Sequence, residues 1–304
     1  MTVPVPVPAD AQALADRRER ARADKDYPAS DALRDQLAEL GWGVKDTPAG
    51  QVLAQLPPYL VLQSVSDLPD RTGEPATRSC TVALVVDGWP DDVRTCVEAL
   101  LEHAPEDVVV VLLENGETEA GAAVHELAQH PRVEELHVER TAGWAEARNA
   151  LVRADVADTH VIMDLSTVLE GDALTPLLDA LNDEVAAAGW RGVHVEDGWG
   201  SFSDSPAGEV EALLSYLVAV RRSAALQVPI PPKARFYRNA DMEWSFLLRE
   251  AGLRLVAVDV PARQERHRGY HDSDPDVRDR ESKKTYDRFL QRFRGREDLR
   301  LPPR

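Results

Sequence analysis

Carboxylates and amides recur in this chain at the points where apolar runs stop. Asp87-Gly88 follows Thr81-Val82-Ala83-Leu84-Val85-Val86, and Glu114-Asn115-Gly116-Glu117 follows the run Asp107 to Leu113. Asp164-Leu165-Ser166-Thr167 follows His160-Val161-Ile162-Met163. Such oxygens can accept hydrogen bonds from a base and a ribose, or help to hold a cation. Each group also has a plain structural reading, since Asn-Gly makes a turn and Asp-x-Ser-Thr caps a helix. What favours chemistry is their order: three sets at the ends of successive strands.

The elements that must position them follow from the same patterning. The run Thr81 to Val86 is unbroken and β-prone, as in a strand covered on both faces. Helical patterning over Asp91 to His103 leads to a second buried strand at Asp107 to Leu113. A helix over Ala120 to His130 leads to a third strand at Val133 to Val138, and one over Ala145 to Ala154 to a fourth at His160 to Met163. Strand alternating with helix gives right-handed crossovers and an α/β fold with a mostly parallel sheet. In such sheets ligands sit at the carboxyl ends of the strands, where strand order reverses.

Upstream, Ala13, Leu14, Ala21, Leu33, Leu37 and Leu40 recur at helical spacings, interrupted at Pro28-Ala29-Ser30-Asp31. This predicts a small N-terminal helical hairpin whose second helix is capped by Ser30 or Asp31 and ends at Gly41. The expected divisions are a hairpin module over residues 1–56, a linker over 57–79, the α/β domain over 80–262, and a basic C-terminal segment over 263–304. In that last segment Tyr286, Phe289, Leu290 and Phe293 form the apolar stripe of an amphipathic helix expected to dock on the same domain. Gly198-Trp199-Gly200 admits two readings, an acceptor loop or an aromatic core contact.

Composition limits the partners. The net charge is −18 over 304 residues, but residues 263–304 carry 13 Lys+Arg against 9 Asp+Glu, so the remainder is strongly acidic. An acidic body argues against general DNA binding. The mildly basic end can meet a compact anion such as a diphosphate, or simply form a solvated helix face. Cys80 and Cys96 fall in apolar segments and read as small core residues rather than a disulfide or zinc pair. The start has no positive n-region and no apolar run is long enough to span a bilayer, so a cytoplasmic location is expected.

Residues about 80–270 resemble the GT-A glycosyltransferases of the family-2 type. The matches are Glu114-Asn115-Gly116-Glu117-Thr118-Glu119 and Ala142-Gly143-Trp144-Ala145-Glu146-Ala147-Arg148-Asn149-Ala150. Met163-Asp164-Leu165-Ser166-Thr167 stands at the place of the Asp-x-Asp motif, and Asn239-Ala240-Asp241-Met242-Glu243-Trp244 at the Glu-Asp segment. The resemblance implies a nucleotide-diphosphate sugar as donor and an unidentified acceptor. It implies that Asp87 or Gly88, Glu114 and Asn115 line base and ribose, and that Arg148 and Asn149 floor the donor site. Asp164 would face ribose or metal, with Ser166 beside it, and Asp241 would be the general base, against a plain role as a helix cap. His267, Arg268 and His271 would meet the diphosphate or a divalent cation (Mn or Mg), with Arg266 beside them.

Two departures stand out. Ser166 replaces the second Asp of the metal motif, and Ala240 an acidic residue before Asp241. A hydroxyl is a weak substitute for a carboxylate on Mg²⁺ or Mn²⁺. A fixed arginine clamp is the alternative to a metal, and a binding module with impaired catalysis is the alternative to an enzyme. Residues Leu14 to Leu53 resemble the C-terminal helical module of cysteinyl-tRNA synthetases through Arg17-Arg18, Ala21-Arg22-Ala23, Lys25-Asp26-Tyr27, Ser30 to Asp35, Leu40-Gly41 and Asp46-Thr47-Pro48. Residues 1–60 carry 7 Lys+Arg and 9 Asp+Glu, which favours a packing or protein-interaction role over a tRNA contact.

Overall fold

The computed structural model describes residues 6–47, 50–196 and 199–302, in two compact units, 1–60 and 61–304. Pro48, Gly198 and the first residues of the Val-Pro run lie outside the described residues.

The first unit is a helical hairpin followed by a β-hairpin. α1 (Ala9–Ala23) and α2 (Tyr27–Glu39) bury Ala11, Ala15 and Leu37 against Trp42 of β1 (Trp42–Thr47), which pairs antiparallel with β2 (Gly50–Gln55). α2 starts earlier than its sequence suggests. Asp26 caps it by accepting from the Ala29 amide, Pro28 sits in the first turn where its missing N–H costs nothing, and Ser30 is buried inside the helix. Neither strand carries an alternating apolar pattern. Their placement follows from Arg18, buried and forked onto Asp46 at 2.8 and 2.9 Å, with Gln51 at 3.2 Å.

The second unit is built on a sheet whose central strands are β4 (Arg78–Val86), β5 (Val109–Asn115), β6 (Val133–Val138) and β7 (Ala157–Met163). They lie in the order β7-β4-β5-β6, all parallel, with β3 (Val61–Leu62) added at the edge of β6. Residues 61–79 therefore do not form a free linker: Val61–Leu62 extends the sheet, and Val65 and Leu68 are buried in its core.

β4 shows why an unbroken apolar run makes a central strand. Cys80, Val82, Leu84 and Val86 face α3 (Pro90–His103) and α4 (Gly121–Leu127), while Ala83 and Val85 face α5 (Trp144–Ala154) on the other side. Both cysteines are free and buried in this core, and burial pushes the Cys80 thiol up to about 12. Because β5 and β6 extend to one side of β4 and β7 lies on the other, strand order reverses between β4 and β7. Asp87 and Asp164 leave the sheet at that reversal.

Beyond β7 the sheet turns antiparallel through β12 (Ala212–Arg221) to β9 (Val185–Val195), which pairs in parallel with β13 (Arg254–Ala257). β10 (Phe202–Ser205) and β11 (Gly208–Glu209) complete the edges, and β8 (Thr167–Leu169) pairs with β14 (Ala262–Gln264) as a separate ribbon. The helices on this half are α6 (Leu174–Asp179), α7 (Arg222–Gln227), α8 (Ala240–Glu250), the short α9 (Arg268–His271) and α10 (Pro275–Phe293). Phe289 and Phe293 of α10 are fully buried against Phe246 and Trp199, and Arg288 forks onto the buried Glu243 at 2.6 and 2.7 Å. Trp199 is thus a core contact. No helix among the described residues is long and apolar enough to cross a membrane.

Candidate functional site

A bulge in β12 organises the site. Leu214 pairs with Arg191 and Val218 with Gly189, so Ser215, Tyr216 and Leu217 stand opposite the single residue Trp190. A bulge removes backbone groups from the ladder and re-aims them. Here the Ser215 N–H donates to Asp241 Oδ2 at 3.1 Å. The Tyr216 carbonyl accepts from the Asp164 N–H at 3.0 Å and from Thr167 Oγ1 at 2.8 Å. Two carboxylate-bearing residues 77 positions apart in the chain are therefore tied to consecutive residues of one strand.

Two adjoining hollows open above that strand. One, of about 350 Å³, is lined by Asp87, Trp89, Asn115, Arg148, Asp164, Ser166, Arg235 and Arg268 among others. The second, of about 630 Å³, is lined by Asp241, Tyr216, Arg191, Arg238, Tyr270 and His271 among others. Tyr237 and His267 line both, their rings stacked 4.3 Å apart at 19°.

The carboxylates differ in state. Asp241 is buried, and desolvation lifts its pKa to about 6 although Ser215 and the Met242 amide donate to it. Burial would raise Asp164 as well. Its bonds from His267 Nε2, 3.2 Å from Oδ2, and from the Ser166 amide and hydroxyl at Oδ1 reverse that and hold it below the usual range. The Tyr270 amide donates to His267 Nδ1 at 3.1 Å, which places the ring proton on Nε2, facing Asp164. Crowding by protein raises Asp87, against a bond donated by Asn115 at 2.7 Å.

Arg148 is buried beneath these acids. Its guanidinium lies 4.5 Å from the centre of the Trp144 ring, its Nε has no hydrogen-bond partner among the described residues, and desolvation lowers its pKa against the pull of Asp164, Asp87 and Asp241.

The expected residues divide into two groups. Asp87, Arg148, Asp164, Ser166 and His267 meet in the smaller hollow, and Asp241 and His271 in the adjoining one. Asn115 borders the smaller hollow, but its amide is committed to Asp87, the Ala142 carbonyl at 3.0 Å and the Ala142 N–H at 2.7 Å. Arg268 borders it too, held by Asp92 at 2.7 Å. The structure does not bring Glu114, Asn149 or Gly88 to the lining. Glu114 accepts from the Thr118 amide and hydroxyl, both at 2.9 Å, and meets the buried His137 at 2.6 Å. Asn149 clamps both backbone groups of Ile230, at 2.8 and 3.0 Å. Gly88 has a φ of +127°, and a Cβ there would stand 2.9 Å from Glu119 Oε1. This turn lets the Trp89 amide donate to Glu119 at 3.0 Å.

Sequence reasoning missed Ser215, Tyr216, Arg191, Arg235, Tyr237 and Arg238. The segment Lys233-Ala234-Arg235-Phe236-Tyr237-Arg238, three cations and two aromatics just before Asp241, was a usable signal for half of them.

The sequence pattern described as Glycosyl transferase family 2 matches residues 86–243, just over half of the chain. That described as Cysteinyl-tRNA ligase anticodon binding domain matches residues 6–52. Two curated relatives share the latter region. Cysteine–tRNA ligase of Nitratidesulfovibrio vulgaris is 57% identical over 35 residues, 12% of this chain and 7% of the ligase. That of Rubrobacter xylanophilus is 47% identical over 38 residues, 12% of this chain and 8% of the ligase. The chain thus spans under a tenth of these ligases.

Among solved structures, GalNAc-T7 with UDP, GalNAc and Mn²⁺ is similar in fold, with a TM-score of 0.58 at 14% identity. The likeness covers 70% of this chain and 48% of that one. The mannosyltransferase PcManGT of Pyrobaculum calidifontis, in complex with GDP-Man and Mn²⁺, gives a TM-score of 0.49 at 17% identity, covering 71% of this chain and 63% of that one.

Proposed function

The chain belongs to glycosyl transferase family 2, and from that premise we propose that it moves a sugar from a nucleotide-diphosphate donor to an acceptor hydroxyl, with Asp241 as general base. The donor takes the smaller hollow and the acceptor the larger. The observation that carries this is the β12 bulge, which ties Asp164 of one hollow and Asp241 of the other to adjacent backbone positions. In the transfer, Asp241 takes the proton of the acceptor hydroxyl as its oxygen bonds to the anomeric carbon. The bond from that carbon to the diphosphate breaks, and its electron pair leaves on the diphosphate oxygen. A carboxyl lifted to about 6 suits a base working near neutral pH.

Asp164 and His267 are the residues that would hold a divalent cation. Oδ2 and Nε2 stand 3.2 Å apart, close enough for both to reach one ion if the ring proton moves to Nδ1 and the Tyr270 amide bond is released, but Ser166 is bonded to Asp164. No group of three or more carboxylate, imidazole or thiol side chains placed to hold a metal occurs among the described residues. A divalent cation held by this pair would have to draw its remaining ligands from the bound donor and from solvent. When bound, the ion offsets charge on the departing diphosphate.

Calorimetric titration with UDP-, GDP- and TDP-sugars, with and without Mn²⁺, tests the donor assignment. Binding of one of them, unchanged in Asp241→Asn, is the expected result. Binding of none contradicts it.

For the first unit we propose a packing or protein-interaction role, supported by its slight acidic excess and by Arg18, which Asp46 already holds. The match to an anticodon binding domain favours tRNA as the second reading. A gel shift with tRNA at low salt decides between them.

A further inference from the structure

We propose that the acceptor is a small hydroxyl compound carrying an anionic group, a phosphate or a carboxylate, which Arg191 and Arg238 recognise in the larger hollow. This rests on the donor and acceptor assignment above and adds the acceptor's charge class.

The two arginines come from different parts of the chain. Arg191 lies on β9 opposite the start of the bulge, its guanidinium 4.4 Å from the Trp190 ring centre and 5.8 Å from that of Tyr216. Arg238 lies on the loop before α8, bonded to the Tyr270 hydroxyl and 5.1 Å from its ring. Asn239 follows in the left-handed region at φ +67°, a conformation asparagine tolerates. The reversal there leaves Arg238 and Asp241, on either side of it, lining one space.

Among the described residues neither guanidinium has a carboxylate within ion-pair distance, in a chain of net charge −18 where most arginines of the second unit have one. The acids that share the hollow do not fill that role. Glu265 is paired with Arg263, and Asp241 is buried on the Ser215 amide. Stacking on aromatic rings holds each guanidinium plane while leaving N–H donors for a ligand. Tyr216, Tyr237 and Tyr270 add ring faces on which a sugar or polyol can lie. Both arginines are exposed where they line the hollow, so a ligand can reach them, and a neutral acceptor would leave their charges to water alone.

The test uses the full chain and three acceptors matched in ring and in the hydroxyls at carbons 1 to 4: glucose, glucose 6-phosphate and glucuronate. Calorimetry on the protein alone and on the UDP-loaded protein gives acceptor affinity without needing turnover. The expected result is binding of at least one charged compound about tenfold or more tighter than glucose, as charge-assisted bonds to arginine imply. The phosphate and carboxylate arms show which anion is meant. Arg191→Ala and Arg238→Ala each weaken the charged compound about tenfold and leave glucose and UDP affinity unchanged, and Arg191→Lys recovers part of the loss. Equal binding of the three compounds overturns the inference, as does an unchanged affinity for the charged compound in both alanine variants. A failure of the donor assignment is seen separately, as absence of nucleotide-sugar binding.

Discussion

The end of β5 and the ends of β4 and β7 carry the same kinds of residue and do different work. After β4 and β7, Asp87 and Asp164 border a hollow, each with bonds from neighbouring groups that orient the carboxylate there. After β5, the Glu114 carboxylate is occupied on both oxygens, one by Thr118 and the other by His137, which in turn meets Glu135 at 2.9 Å. Burial would raise Glu114, yet these partners hold it below its usual range, and burial would lower His137, yet Glu114 and Glu135 raise it. The β5 turn still matters at one remove: Glu114 fixes Thr118, and the neighbouring Glu119 fixes the amide of Trp89, which does line the hollow. Asp164 is also bonded at both oxygens, so what separates it from Glu114 is that it borders the hollow, where a ligand can displace a partner. Position at a strand end alone does not distinguish the two cases.

That contrast can be broken by substitution. The largest expected effect is at Asp241, where Asp241→Asn lowers kcat/KM for transfer about 10²–10⁴-fold, with donor affinity unchanged by calorimetry. Retained transfer would remove Asp241 from the chemistry and favour a binding module. Next, Asp164→Asn is expected to weaken the Mn²⁺-dependent part of donor binding about tenfold or more; equal binding with and without Mn²⁺ in the parent protein would instead favour Arg266 and Arg268 of the smaller hollow as the diphosphate's partners.

Glu114→Gln gives the opposite pattern. It leaves His137 facing an amide, and chemical denaturation should show a loss of about 1–3 kcal/mol, while donor affinity stays within about twofold. A large loss of donor affinity without loss of stability would place Glu114 in the site after all.

The smallest effect concerns pH. Asp241 has a folded pKa of about 6, above its usual value of 3.8, so its burial favours the protonated folded state. Its stability contribution is complete below pH 3.8 and is lost as pH rises through 6. Asp241→Asn, which mimics the neutral form, should therefore be more stable than the parent at pH 8 by on the order of 2 kcal/mol, with the gain fading towards pH 4. The same group predicts a rise in transfer rate as pH increases through about 6.

The sequence made much of this architecture legible. β4, β5, β6 and β7 stand out because strands buried on both faces read as continuous apolar runs, and the switch between β4 and β7 follows from their connections. Asp87, Asp164 and Asp241 were likewise visible. Glu114 and Asn149 were not separable from them, because partners such as His137 and Ile230 lie 23 and 81 residues away. The β12 bulge left no mark, since Leu213-Leu214-Ser215-Tyr216-Leu217-Val218 reads as an ordinary apolar run. β1, β2 and β3 escaped because their places depend on Arg18 and on the edge of β6 rather than on alternating apolar residues.

A crystal structure with a bound nucleoside diphosphate and Mn²⁺ tests the central claim most directly, because it shows which strand ends the ligand touches. The account predicts the base and ribose beside Asp87, the diphosphate between Asp164, His267 and Arg148, and the Glu114–His137 contact unchanged. Nucleotide seated on Glu114 and Asn149, or away from the hollow that Tyr237 and His267 border, would contradict it.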